Sequence, residues 1–331
     1  MKDLQLLTNI LSIQSASRDT KNIASVITGI ATSFGATVTE KEGNLYVVKG
    51  EPTDTGYPCI VSHMDTVHKI VPEDHFKVYQ FDDFLMGFNT DKKSPSGIGG
   101  DDKVGVYIAL SMIKNMDNIK SCFFKDEEIG CLGSGCCDME FFDDVRYVLQ
   151  CDRKGNNDFV NKISNNTLQT KEFMEDITEI ISEHSYKFHD GGTTDVGKLY
   201  TRGLKVCSAN MSCGYYNPHS DEEVVCISDV FNCEEMVFKL LTQIVNRYEV
   251  PVYVPYTPPA YNYNNYNNNY NNRASMQKQW DDEFDEYGYA KAIKNNDKQK
   301  ECWSCNTTFA KEDLNEFGLC TDCNEHHLGK K

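Results

Sequence analysis

Three short apolar runs in this chain each stop on a group of acids or histidines. Residues 58–62 (Pro-Cys-Ile-Val-Ser) lead into His63-Met64-Asp65-Thr66-Val67, and residues 119–125 lead into Asp126-Glu127-Glu128-Ile129-Gly130. Residues 145–150 lead to Asp152. Runs this short, without polar alternation, read as strands buried on both faces. Such strands need helices packed over them, and helical periods lie between the runs. The implied class is α/β, a layered sandwich with its sheet in the middle. In such sheets, polar residues just past the strand ends are where sites are built.

The stretch Ile98-Gly99-Gly100-Asp101-Asp102-Lys103-Val104-Gly105 opens one of those helices, which runs to about residue 116. Its glycines permit a tight turn. A carboxylate at the helix N-terminus is favoured by the helix dipole. Asp101 alone could equally be a helix cap. Further helices are expected at 4–13, 22–34, 171–186 and 230–248, with a short one at 135–142. A hairpin is expected around Gly43-Asn44, a β excursion at 76–88, and a strand at 204–211. Residues 191–195 (Gly-Gly-Thr-Thr-Asp) read as a turn into a short helix, and His219 lies on a loop at 214–221.

The 331 residues are 40% hydrophobic, enough for one large domain or two. The formal net charge is −17. That argues against general nucleic-acid binding and suits clefts that gather cations. The N-terminus lacks the basic start and apolar core of a signal peptide, and no run reaches the roughly 20 apolar residues of a membrane span. The expectation is a cytoplasmic protein with no membrane partner.

The residues at strand ends and turns are His63, Asp65, Asp101, Glu127, Glu128, Asp152 and His219. Five such groups suffice for two divalent cations, with one carboxylate bridging and a histidine plus a further carboxylate on each. Imidazole and carboxylate suit zinc, manganese or cobalt. Of the remaining acids, Asp65 could hold the His63 ring, and one glutamate of the pair could move a proton.

Ser62-His63-Met64-Asp65-Thr66-Val67, Gly100-Asp101-Asp102-Lys103-Val104-Gly105, Phe124-Lys125-Asp126-Glu127-Glu128-Ile129-Gly130 and His219-Ser220-Asp221-Glu222 resemble the motifs of the M20 family of co-catalytic zinc peptidases, and the peptidase T-like branch above all. They stand in that family's order, with Asp152 between the third and fourth, and the resemblance covers about residues 1–249. It implies a three-layer αβα zinc-exopeptidase-like fold with a central mixed sheet. It implies that Asp101 bridges two Zn2+ (or Mn2+/Co2+), that His63 and Asp152 complete one site, and that Glu128 and His219 complete the other. Glu127 would be the general base on a metal-bridging water, Asp65 would orient His63, and the Asp101–Asp102 peptide would be cis. The implied function is an aminopeptidase acting on short peptides. The alternatives are a deacylase or amidase on N-acyl amino acids or cell-wall peptides, and a non-enzymatic assembly protein. Only 66 residues, 153 to 218, separate Asp152 from His219. The family's lid and dimerisation domain is not expected in so short a segment, and in this the chain resembles M28 and M42 aminopeptidases. Residues 191–195 also carry one Thr more than the family's usual turn.

Ten of the fourteen cysteines are scattered before residue 235 and read as reduced thiols. The other four form Cys302-x-x-Cys305 and Cys320-x-x-Cys323, fourteen residues apart. That spacing is the signature of a four-cysteine zinc ribbon with one structural Zn2+, a candidate dock for a protein partner. The expected organisation is a catalytic domain at 1–250, a flexible Pro/Tyr/Asn-rich linker at 251–299, and the ribbon at 300–331. His68, His75, His184 and His189 have no matching partners and read as surface or structural residues. Cys136-Cys137 reads as packing.

Overall fold

The computed structural model describes residues 2–163, 166–250 and 253, together with the backbone of two short strands at 299–301 and 308–310. The chain divides into two compact units, Met1–Tyr253 and Val254–Lys331. The linker and ribbon expected from the sequence fall almost wholly outside the described residues.

The first unit is a three-layer αβα sandwich around a mixed sheet. Its strands are β1 (Thr37–Lys41), β2 (Asn44–Lys49), β3 (Tyr57–His63), β7 (Ile119–Phe124), β8 (Val145–Arg153), β9 (Asp158–Ile163), β10 (Asn166–Thr167), β11 (Lys187–Gly191) and β12 (Ser208–Ser212). The order across the sheet is β1-β2-β7-β3-β8-β12-β9-β10, with β11 paired to β9. β3 runs parallel to both β7 and β8, and β8 runs parallel to β12. Every residue of β3 and β7 is buried, as continuous apolar runs require. A smaller sheet holds β4 (Phe76–Phe81), β5 (Phe84–Asn89), β6 (Ser94–Pro95), β13 (Tyr215–Tyr216) and β14 (Val224–Cys226).

The helices are α1 (Leu4–Leu11), α2 (Lys21–Ser33), α3 (Gly100–Asn115), α4 (Leu132–Cys136), α5 (Lys171–Glu183), α6 (Asp195–Thr201) and α7 (Ile227–Gln243). α3 packs on β3, β7 and β8, and is covered in turn by α1, α2 and α7. It is buried almost all round, which is why its sequence shows no polar face. Polar ties fasten this layer. Buried Glu234 of α7 accepts from the Tyr107 hydroxyl at 3.1 Å and from the Lys2 amide at 2.8 Å. Buried Lys103 donates to the carbonyls of Leu11 and Ile13, closing the end of α1.

The segment between Asp152 and His219 supplies β9 to β12 to the main sheet, so it completes the layer rather than forming a separate body. Among the described residues no helix is long and apolar enough to cross a membrane.

Candidate metal centre

Strand register sets the floor of the site. His63 pairs with Phe124 across β3 and β7, and Val61 pairs with Gln150 across β3 and β8. The end of β3 therefore lies level with Asp152 on one side and with the turn carrying Glu127 and Glu128 on the other. Between Gln150 and Arg153, β8 has one residue more than its partner β12. Such a bulge re-aims side chains next to a site. Asp101 arrives from another direction, on the first turn of α3. Gly99 before it is left-handed (φ 68°), and the Asp101–Asp102 peptide is cis. His219 comes from the loop between β13 and β14, itself at φ 63°.

These segments converge on Asp101. Its Oδ1 lies 3.2 Å from His63 Nε2, and its Oδ2 lies 3.3 Å from His219 Nε2. Asp152 Oδ1 is 3.5 Å from the same His63 nitrogen, and Glu128 Oε2 is 3.1 Å from the same His219 nitrogen. The sequence-derived set thus gathers as two half-sites that share one carboxylate. Asp65 stands behind His63. Its carbonyl is 3.0 Å from His63 Nδ1 and its carboxylate 3.5 Å away. The same carboxylate accepts from the Glu127 amide at 2.9 Å and the Ser17 hydroxyl at 2.7 Å, so Asp65 braces the glutamate turn as well as the ring. Glu127 borders the cleft, and its Oε1 accepts from the Cys131 thiol at 3.1 Å.

The electrostatics are those of a cluster short of positive charge. Burial opposes charging His63, but Asp152, Asp101 and Asp65 outweigh it and hold the ring well above the ordinary histidine value. Asp101 and Glu128 push His219 up to about 10. Burial, with Asp101 adding, pushes Asp152 well above the usual carboxylate range and raises Glu128. Asp101 is the exception. Burial would raise it, but the two histidines hold it below the usual range. His63 Nε2 and Glu128 Oε1 are buried and make no hydrogen bond. Ligand atoms of His63, Asp101 and Glu128 lie within 4.8 Å of one another. Buried nitrogen and oxygen donors without hydrogen-bond partners, among mutually repelling carboxylates, fit divalent cations.

Several residues of the site escape a reading of the sequence. Asp102, fully buried, accepts from the Ser62 hydroxyl at 2.6 Å and the His63 amide at 3.1 Å, and so locks the end of β3 to α3. Glu223, only 1% exposed, accepts from the amides of Gly99 and Asp101, and lies 2.7 Å from His68 Nε2. His68 is thus a structural residue, and Glu223 ties the Asp101 turn to the loop of His219. Thr194 Oγ1 sits 2.8 Å from Gln150 Oε1 and 3.1 Å from Asp152 Oδ2. Only the Gly-Gly-Thr-Thr turn signals its position. Cys136 is exposed and Cys137 buried. Cys302, Cys305, Cys320 and Cys323, which the sequence spacing suggests as ligands of a zinc ribbon, lie outside the described residues. In that region Gln299–Glu301 pairs antiparallel with Thr308–Ala310.

The centre opens into a cleft of about 240 Å³. No protein-family model and no curated protein sequence matches the chain. Solved structures do match its fold. Aminopeptidase PepT from Bacillus cereus aligns with a TM-score of 0.58 at 15% identity, over 72% of this chain and 96% of that one. A tripeptidase from Staphylococcus aureus aligns at 0.59 and 14%, over 73% and 97%. An aminopeptidase from the archaeon Desulfurococcus kamchatkensis aligns at 0.55 and 13%, over 72% and 94%. At these identities the likeness establishes the aminopeptidase fold.

Proposed function

We propose that this protein is a two-cation metallohydrolase that cleaves amide bonds, acting as an aminopeptidase on short peptides. The observation that carries the reading is Asp101, whose two carboxylate oxygens face two different histidines, each with a second carboxylate beside it. His63, Asp101 and Asp152 would hold one divalent cation, and Asp101, Glu128 and His219 the other. Zinc, manganese or cobalt, when bound there, supplies Lewis acidity to a substrate carbonyl and to water. Glu127 takes the proton of the attacking water and returns it to the leaving amine. Asp65 keeps His63 and the Glu127 turn in place, and Asp102 keeps β3 against α3. Residues 300–331 are proposed as a separate four-cysteine zinc ribbon, joined by the 251–299 linker, for docking a protein partner. The protein is proposed to act in the cytoplasm.

The test combines metal content with hydrolysis. A chain truncated after Tyr253 should hold about two equivalents of metal, and the full chain about one more. No metal in the truncated chain sinks the centre. Reconstituted full-length protein should cleave di- and tripeptides, and Glu127→Ala should lower kcat by roughly 10²- to 10⁴-fold. Equal rates for the two proteins would refute the assigned base. Cleavage of N-acyl amino acids instead of peptides would move the assignment to a deacylase.

A further inference from the structure

Glu127 moves the proton in the proposed reaction, so whatever holds its carboxylate bears on the rate. Among the described residues one donor reaches that carboxylate, the Cys131 thiol, 3.1 Å from Oε1. The other oxygen is left for the cleft that Glu127 lines. Cys131 also closes the turn that carries the glutamates. Its amide donates to the Glu127 carbonyl at 2.7 Å, and the next two amides, of Leu132 and Gly133, donate to the carbonyls of Asp126 and Lys125, both at 3.0 Å. Donor and acceptor thus belong to one closed turn.

The backbone argues that this side chain is kept for a reason. Cys131 is left-handed, at φ 54°. That region is disfavoured for residues with a Cβ and open to glycine. The residue before it, left-handed at φ 110°, is Gly130. Glycine at 131 would suit the turn better, yet the chain places a thiol there, and the thiol reaches Glu127.

The surroundings explain what the thiol does. Side-chain atoms of Glu127, Cys131 and Asp195 lie within 4.8 Å of one another. Asp195 is fully buried and fixed, its Oδ1 accepting from the Ser134 hydroxyl at 2.5 Å and its Oδ2 from Gln150 Nε2 at 3.3 Å. Two carboxylates so close repel each other when both are charged. A neutral S–H beside Glu127 opposes that repulsion. Burial, with Asp195 and Glu127 adding, pushes the Cys131 thiol well above its ordinary value, so it stays a donor.

We infer that Cys131 is a positioning residue for the hydrolysis: its thiol holds Oε1 of Glu127 and keeps the carboxylate at the cleft wall against the repulsion of Asp195. This rests on the reading of Glu127 as the base.

The test uses metal-loaded full-length protein, with Ala-Ala-Ala as the probe. Cys131→Ala should lower kcat by about tenfold, the low end for a bond to a charged group because a thiol is a weak donor. KM should change by less than about twofold. Cys131→Ser, which restores a donor, should recover most of the loss. Cys131→Gly should lose as much kcat as Cys131→Ala, yet unfold at the same temperature or above it, because glycine accepts the left-handed turn. Adding Cys131→Ala to Glu127→Gln should cost nothing further, because the two groups act as a unit. Infrared absorption of the S–H stretch reads the contact without hydrolysis. The band lost in Cys131→Ser should move to higher frequency in Glu127→Gln, where the acceptor is neutral and weaker. A band that does not move overturns the inference whatever the rates, and so does a loss of kcat that adds to that of Glu127→Gln. Wild-type kcat in Cys131→Ala beside an impaired Glu127→Gln overturns it too, and leaves Glu127 as the base. An unimpaired Glu127→Gln overturns the base itself, and the inference with it.

Discussion

Replacing Glu223 by glutamine tests whether the turn carrying Asp101 is held in place from the loop carrying His219. Glu223 Oε2 accepts from the Gly99 amide at 2.7 Å and faces His68 Nε2 at 2.7 Å, while Oε1 accepts from the Asp101 amide at 3.0 Å. Glutamine keeps the shape, but one of the two ends becomes an NH2 group. If the amide oxygen stays toward Asp101, the NH2 meets the Gly99 N–H, and a buried donor loses its acceptor. A hydrogen bond to a charged group contributes about 1.5–3 kcal/mol, and a buried unpaired donor costs about 1–3 kcal/mol. The two figures overlap, so the substitution should cost roughly 2–3 kcal/mol. For a domain of this size that lowers Tm by roughly 4–12 °C. The second effect falls on the centre. Asp101 would be less firmly placed, and loss of such a supporting contact typically weakens metal binding about 10- to 100-fold. Thermal unfolding of the metal-free protein reads the first effect, and competition with a chelator reads the second. Glu223→Ala, which removes all three partners, should exceed Glu223→Gln in both. If Tm falls while chelator competition is unchanged, Glu223 merely braces the fold and the positioning argument fails.

Gly105→Ala should destabilise the protein, although alanine in a helix interior is normally better by about 1 kcal/mol. The added Cβ would lie 2.2 Å from Asp102 Oδ1, and Asp102 holds Ser62 and the His63 amide. A loss of roughly 1–3 kcal/mol is expected from urea unfolding, and a gain would contradict the packing described. Burial, with Glu127 adding, pushes Asp195 from its ordinary 3.8 up to about 7. Its folded-state pKa is raised, so its contribution to stability is full below about pH 4 and is lost as pH rises through about 7. Asp195→Asn should therefore lose less stability than wild type between about pH 4 and 8, and identical urea midpoints across that range would refute the shift. Cys320→Ser should lower the metal content of the full chain by about one equivalent while leaving the two in the cleft. An unchanged content removes the ribbon.

The parts legible in the sequence are those whose physics is local. β3, β7 and β8 read as strands because burial on both faces demands unbroken apolar runs, and the chemistry at their ends stands out for the same reason. β9 and β11 do not. Among the described residues β11 pairs with β9 alone and is largely exposed, so Lys187–Gly191 carries little apolar signal. Helix limits depend on distant partners. The periodicity predicts α7 at residues 230–248, whereas it spans Ile227–Gln243. It starts early because Asp83, far away in sequence, accepts from the Ser228 amide at 3.1 Å. It ends early because the Tyr248 and Val250 amides turn back to the carbonyls of Arg146 and Lys205. Glu223 is hidden differently. It sits in the acidic run 221–223, where nothing local separates the buried acid from its exposed neighbours.

The same distinction explains how the site is built. Three of its delivery points, the ends of β7, β3 and β8, are neighbours in one parallel register, so their relative positions follow from backbone hydrogen bonds. A side-chain change there moves little. Asp101 and His219 come from a helix turn and a loop that share no strand pairing with that floor. Asp101 must nevertheless face both histidines at 3.2 and 3.3 Å. Something must fix the turn and the loop to each other: Glu223, four residues after His219, accepts from the amides of Gly99 and Asp101, and Asp221 of the same loop accepts from the Gly97 amide at 3.3 Å. The side chain of His219 is 54% exposed, whereas that of His63 is 1% exposed. His63 and Asp152 of one half-site are therefore placed by register, whereas in the other only Glu128 is, and both His219 and the shared Asp101 depend on the ties between turn and loop. On this construction the two cations should not be lost together. Glu223→Gln should weaken the His219 half-site first, and a chelator titration of that variant should resolve two steps. A single step of uniformly weakened affinity would show that register alone does not hold the floor.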